Sequence, residues 1–214
     1  MNTIARLITV TLIILIGGNA MAIEEAPYQV LKEAGNFELR EYAPHILAEI
    51  VVEGNLEDAG NKAFRPLFNY ISGANRARAK IAMTAPVSQE PSGEKISMTA
   101  PVSQQRTRDQ WAISFMMPAS STLATLPVPE NPAITLRQVP AHRVATVRYT
   151  GTWSEKNYER YRLELETWIC ENGLKIVGDP VWARYNPPFT LWFLRRNEIL
   201  IPVAQGSTVE IRKE

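Results

Sequence analysis

Residues 37–54 read Phe37-Glu38-Leu39-Arg40-Glu41-Tyr42-Ala43-Pro44-His45-Ile46-Leu47-Ala48-Glu49-Ile50-Val51-Val52-Glu53-Gly54. Phe37 to Tyr42 alternates in character and stops at Ala43-Pro44. His45 to Glu53 alternates again, with Ile46, Ala48, Ile50 and Val52 on one side and His45, Leu47, Glu49, Val51 and Glu53 on the other. A period of two marks two half-buried strands, and Gly54 ends the second. Asn55 and Asp58 then offer capping oxygens, and Leu56, Ala63, Phe64, Leu67 and Ile71 recur at helical spacing up to Gly73. Pro66 is expected to kink this helix or loosen its first half.

The same order returns 97 residues later. Ile134 to Val139 is a strand ending at Pro140-Ala141, His142 to Thr150 is a second one stopped by Gly151, and Ser154 opens a helix carrying Tyr158, Tyr161, Leu165, Trp168 and Ile169 to Gly173. At this offset Leu39, Arg40, His45, Ala48 and Gly54 face the identical residues Leu136, Arg137, His142, Ala145 and Gly151. The matches coincide with element boundaries, so we read an internal duplication. A Pro-containing strand pair is expected after each helix. After the first come Lys80 to Gln89 and a near copy, Lys95 to Gln104, sharing the core Met-Thr-Ala-Pro-Val and separated by the turn chemistry of Pro91-Ser92-Gly93. The copies predict a hairpin with Met83 near Pro101 and Met98 near Pro86, lying at an edge or bulged because proline lacks the ladder donor. Trp111 to Met117 is another strand, and Pro118 to Pro132 crosses between the modules. After the second helix come Val181 to Tyr185, the kink Asn186-Pro187-Pro188, Leu191 to Leu194, a turn at Arg195 to Glu198, and Ile199 to Val203.

The expected fold class is therefore α+β: two duplicated strand-strand-helix-strand-strand modules, about 28–117 and about 133–203, forming a distorted antiparallel β-barrel with two outer helices. The cleft between the modules is the natural ligand site.

Ahead of this domain, Arg6, the apolar run Leu7 to Ile16 and Ala20-Met21-Ala22 have the three parts of a secretory signal peptide over residues 1–22, with cleavage expected before Ile23. The apolar run is too short to span a bilayer, which takes roughly 20 residues. Export to the periplasm or secretion is the expectation, with no stable membrane anchor. Residues 23–214 then form a single domain, expected to be monomeric. Without Arg6 the chain has 22 basic and 22 acidic residues, so no long-range field favours nucleic acid as a partner. Cys170 is the only cysteine and cannot form an internal disulfide; beside Trp168 and Ile169 it reads as a buried, inert thiol.

Tyr28-Gln29-Val30-Leu31, Phe37 to Tyr42, Lys80 to Val87 with its Met-Thr-Ala-Pro-Val core, and Tyr185-Asn186-Pro187-Pro188 followed by Arg195-Arg196-Asn197-Glu198 resemble the SOUL haem-binding protein family. The resemblance runs in order over nearly the whole chain after residue 22. It implies a duplicated α+β distorted barrel, similar also to bacterial effector-binding domains, and non-covalent binding of haem or another tetrapyrrole in a shallow apolar cleft, as a carrier, buffer or scavenger. Some animal members have a histidine, proposed as iron ligand, immediately before the tyrosine equivalent to Tyr42. Here that position is Glu41, so this ligand is not carried over.

A macrocycle needs apolar walls for its faces and donors for its propionates, with an iron ligand as a separate requirement. Met83 and Met98, in the repeated segment, are candidate wall residues. Lys80 with Arg76 and Arg78, and Arg195 with Arg196, are candidate propionate partners, although Arg196 beside Glu198 also reads as a local ion pair. His45 and His142 lie on the strand face opposite the apolar series, facing the cleft or water, and their place just after a turn favours exposed strand starts. Met83 or His45 are the axial candidates; no other metal ligand is assigned, and two histidines without a nearby third donor do not define a zinc site. The alternative is a binding module for another apolar or cationic small molecule, motivated by Glu49 and Glu53. A more remote one is a hydrolase using one of these carboxylates as general base. No phosphate loop, nucleophile elbow or paired-cysteine motif supports catalysis, so no enzymatic activity is expected.

Overall fold

The computed structural model of the chain describes residues 23–77 and 93–205. The expected signal segment, Lys80, Met83, Arg78 and the first copy of the repeated segment lie outside the described residues.

In chain order the elements are β1 (Glu24–Glu25), β2 (Tyr28–Ala34), β3 (Phe37–Tyr42), β4 (His45–Val52), α1 (Leu56–Ile71), β5 (Asn75–Arg76), β6 (Thr99–Ala100), β7 (Val102–Thr107), β8 (Gln110–Met116), β9 (Val128–Pro129), β10 (Ile134–Val139), β11 (His142–Tyr149), α2 (Glu155–Glu171), β12 (Val181–Arg184) and β13 (Asn197–Val203). Nine strands form one antiparallel sheet in the order β10-β4-β8-β7-β12-β13-β11-β3-β2. The two-residue pairs β1-β6 and β5-β9 stand apart from it. β7 and β12 join at the centre, with Gln104 opposite Trp182. Each half then gives its first strand to the other: β3 pairs with β11, and β10 with β4. The corners Ala43-Pro44 and Pro140-Ala141 are the two crossing points, because proline cannot continue a ladder. Curled in this way the sheet is a half-barrel with both helices on its outer face.

The alternation decides which face each side chain meets. Ile46, Ala48 and Ile50 of β4, Ile113 and Phe115 of β8, Ala145 and Val147 of β11, and Ile199 and Ile201 of β13 form the core with Leu56, Ala59, Ala63 and Leu67 of α1 and Leu165 and Ile169 of α2. α1 packs on β4 and β8, and α2 on β11 and β13. Each fully buried Leu or Ile contributes about 1.5–3 kcal/mol at most, so this layer dominates stability. Both helices start where expected: the Asn55 side chain accepts from the Asp58 N–H at 2.8 Å, and Ser154 caps α2 through the N–H of Asn157. α1 continues through Pro66. We predict that Asn55→Ala lowers stability by about 1 kcal/mol, the usual value of such a cap, in urea unfolding with an unchanged m-value.

The structure departs from the sequence reading at four places. Lys95 to Met98 carries no strand, and Thr99–Ala100 runs parallel to Glu24–Glu25. Beyond Pro101, β7 is no edge: β8 and β12 flank it on both sides, while the expected hairpin partner, Lys80 to Gln89, lies outside the described residues. Leu191 to Leu194 is not a strand but ends in a single 3₁₀ turn, Trp192–Leu194, because Arg195 curls the segment by donating to the carbonyls of Thr190 and Pro188 at 2.8 and 2.7 Å. The expected turn at Arg195 to Glu198 is already strand from Asn197. Cys170 is exposed: its neighbours Trp168 and Ile169 take the buried side of α2, and the next residue turns outward.

Candidate functional site

Among the concavities of the described residues, two with mainly apolar walls lie on opposite faces of the sheet. On the helix side, a groove of about 520 Å³ opens between the first half of α1, the Met98–Ala100 segment and the Tyr185–Phe189 loop. Phe64 of α1, Met98, Trp153, Pro187, Pro188 and Phe189 give it apolar walls. Met98 is 42% and Phe189 84% exposed, so both offer surface that a ligand would cover. Among the described residues, the charged ones lining it are Arg65 and Arg184, with no carboxylate.

Arg184 is unusual. It ends β12 on the helix side, its guanidinium 5.1 Å from the ring centres of both Trp153 and Trp182. Its one hydrogen bond runs from Nη2 to the Gln104 side-chain oxygen at 3.2 Å, while Nε is buried without a partner and no carboxylate pairs with it among the described residues. Burial pulls its pKa down to about 10, which still leaves a cation at neutral pH. Gly60 makes room for it, since a Cβ there would lie 2.2 Å from Arg184 Nη2.

On the concave side, a smaller cavity of about 240 Å³ is lined by Leu47, Met116, Val144 and Leu200, by Tyr42, and by both histidines. His45 and His142 begin β4 and β11, and their ring centres stand 5.6 Å apart, with Tyr42 stacked on His142 at 5.8 Å. Both are half-buried rather than exposed strand starts, because the crossing corners bring the two strand starts together. Burial holds His45 below its usual pKa, and the positive charge available to His142 acts the same way. Glu49 lines the cavity too, but Arg137 Nη2 bonds it at 2.9 Å. Glu53 lies elsewhere, beside Gln110.

Next to this cavity the opposite half of the concave face is filled by a charged cluster. Arg40 is 1% exposed and Glu198 0%. Arg40 Nη1 and Nη2 reach the two Glu198 oxygens at 2.7 and 3.1 Å, Arg40 Nε reaches Glu38 at 2.6 Å, and Tyr185 Oη and Arg196 Nε also donate to Glu198. Burial alone would raise the Glu198 carboxyl, but the bonds and charge of Arg40 and Arg196 outweigh it and hold it below the usual carboxylate range. Burial likewise pushes Tyr42 up to about 12 against the opposing charge of Arg40. Residues of both halves line the cavity, and Ala112 and Ser114 of β8 stand there at the positions that Glu198 and Leu200 occupy on β13.

The sequence-derived candidates thus separate. His45 and His142 meet in the concave cavity, Met98 borders the groove on the other face, and the two cavities share no lining residue. Arg195 lies over Trp153 at 4.3 Å and is spent on loop carbonyls, while Arg196 bridges Glu25 and Glu198 over the Tyr185 ring. Neither Arg195 nor Arg196 lines either cavity. Sequence reasoning passed over Arg184 and the Arg40–Glu198 pair. For Arg184 a signal existed, a cation alternating with Trp182 in a strand that follows no acidic neighbour closer than Asp179.

A helix-covered half-barrel with an apolar, cation-bearing groove is the architecture of a small-molecule-binding domain. A profile of the SOUL heme-binding protein family matches residues 23–202, and the chain belongs to that family. None of the curated proteins matches it. Among solved structures, the C-terminal domain of EcmrR is similar at 14% identity and TM-score 0.57, over 84% of this chain and 99% of that one. EcmrR in its complex with DNA gives 15% and 0.56 over 84% and 58%. A hydrolase from Listeria innocua gives 13% and 0.51 over 79% and 92%. At such identities these likenesses describe the fold alone. Among the described residues, no helix is long and apolar enough to cross a membrane.

Proposed function

We propose that the protein is an exported carrier, buffer or scavenger that holds haem or a related tetrapyrrole non-covalently in the groove beside α1. The observation that carries this reading is the pairing of an apolar groove of about 520 Å³ with a largely buried guanidinium, Arg184, that has no carboxylate partner among the described residues. Groove size is within the roughly 300–1,000 Å³ usual for ligand pockets, whereas the concave cavity at about 240 Å³ falls below it. Phe64, Met98, Pro187 and Phe189 fit the faces of a macrocycle, and Arg65 and Arg184 fit its carboxylates. Bound haem would supply its iron for ligation; among the groove's described residues only Met98 offers a thioether, and no histidine lies there.

The charge of the groove argues against a cationic ligand, since both of its charged side chains among the described residues are arginines. Glu49, which motivated that alternative, is already neutralised by Arg137. Hemin added to the protein lacking residues 1–22 is expected to give a saturable Soret shift at about one equivalent. Met98→Asp puts a carboxylate on a wall meant for an apolar face and should weaken binding at least tenfold, about 1.4 kcal/mol. Because Met98 is 42% exposed, the variant should fold normally. A linear, unsaturated titration with the parent protein would remove the reading.

A further inference from the structure

His45 and His142 meet at the two crossing corners, and tetrapyrrole binding on the other face of the sheet makes no use of them. Each Nδ1 lies 3.0 Å from a backbone carbonyl two residues back, that of Ala43 for His45 and that of Pro140 for His142. A carbonyl only accepts, so in the neutral rings Nδ1 carries the proton and Nε2 keeps its lone pair; the tautomer is assigned from this partner. No described group donates to either Nε2. An imidazole whose outer N–H is fixed on a backbone carbonyl is the usual supporting arrangement for a metal-bound histidine, because it sets both tautomer and ring direction. Here it occurs twice, on rings 5.6 Å apart and tilted by 44° that border one cavity.

We propose that the concave cavity is a second binding site, which takes a borderline transition-metal ion such as Cu²⁺, Ni²⁺ or Zn²⁺ between His45 Nε2 and His142 Nε2. Metal–imidazole bonds of about 2.0–2.1 Å place two nitrogens on one ion at most about 4 Å apart, a spacing compatible with rings whose centres stand 5.6 Å apart. Neutral imidazole selects these ions over Mg²⁺ and Ca²⁺, which require oxygen. The nearby carboxylates do not join, since Glu49 is held by Arg137 and Glu41 faces Arg143. No described cluster offers three His, Cys, Asp or Glu ligands. The site is consequently open: two protein nitrogens hold the ion, and water or a small exogenous ligand in the remaining cavity completes its shell. A closed, four-ligand structural zinc site is a different object, and this is not one.

The test uses the protein lacking residues 1–22 and any histidine tag. Cu²⁺ titration followed by calorimetry should give one equivalent, and electron paramagnetic resonance of the loaded protein should show two imidazole nitrogens on the copper. His45→Asn and His142→Asn should each lower Cu²⁺ affinity tenfold or more while leaving the hemin titration of the groove unchanged. Copper that keeps its affinity in both variants, loses it in only one, or has fewer than two nitrogens in the parent protein overturns the proposal. The nitrogen count needs no variant to fold. A flat hemin titration beside an intact copper signal would remove the tetrapyrrole reading and leave this one standing.

Discussion

Glu198→Ala is expected to lower stability by about 3–5 kcal/mol, the usual loss when one partner of a buried ion pair is removed. Four donors converge on the two oxygens of this fully buried carboxylate: Arg40 twice, Tyr185 and Arg196. Arg196 keeps Glu25 and sits 20% exposed, so it can turn to solvent. Arg40 cannot, being 1% exposed; it retains Glu38, the Tyr42 hydroxyl at 3.2 Å and the face of the Tyr28 ring at 4.4 Å. A buried guanidinium left with one partly exposed counter-charge, Glu38, in place of two is therefore the main penalty. For a domain whose total stability is about 5–15 kcal/mol, the loss is large. The pair itself is a different matter, because two well-packed apolar residues often replace a buried ion pair without loss. Arg40→Met combined with Glu198→Leu should recover most of the stability lost in Glu198→Ala. Urea unfolding of the three variants decides the matter: equal losses in the single and double variants would mean that the volume of the cluster matters and its charge does not.

The same cluster sets an acid limit. The folded-state pKa of Glu198 is depressed, so its contribution is present above the ordinary carboxylate range and is lost as pH falls through the lowered folded value, where the unfolded chain has already taken up the proton. His45, lowered chiefly by burial, acts with the same sign at higher pH: its contribution is complete above the ordinary histidine value and declines as pH drops below it.

Elements punctuated by local chemistry were legible in advance. Phe37–Tyr42 and Ile134–Val139 have the bounds that alternation and the Ala-Pro and Pro-Ala corners imply. Asn55 and Ser154 cap α1 and α2 because a capping bond spans only three residues. Pairing is not local. Periodicity states that Phe37–Tyr42 is a strand with Leu39 on its core side, but not that it crosses to β11 in the other half. That crossing converts His45 and His142 from solvent-facing strand starts into neighbours. Arg40 and Glu198 lie 158 residues apart, and nothing in either neighbourhood announces the other. The Lys95 to Gln104 segment failed for another reason. Its similarity to Lys80 to Gln89 suggests an edge strand paired to that copy, whereas β8, next in sequence, and β12, in the other half, take the backbone of Val102 to Gln105.

Arg184→Met separates stability from binding in the groove. A buried cation without a counter-ion opposes folding, and at Arg184 the opposition shows as a pKa drawn down to about 10 by burial. Cation–π contacts with Trp153 and Trp182 and a single bond to Gln104 offset part of it. Methionine fills similar space between the two indoles without a charge to desolvate, so the melting temperature should stay level or rise. Ligand affinity should move the opposite way. A charge-assisted hydrogen bond to a carboxylate is worth about 1.5–3 kcal/mol, so hemin affinity should fall roughly tenfold to a hundredfold. Arg184→Lys keeps the charge but loses the planar fork, and should fall between the parent and Arg184→Met. A stabilised Arg184→Met that binds hemin as tightly as the parent would show that this guanidinium holds α1 to β12 through Gly60 and serves no ligand. Retained stability with lost affinity is the signature of a residue kept at the expense of the fold for the molecule it binds.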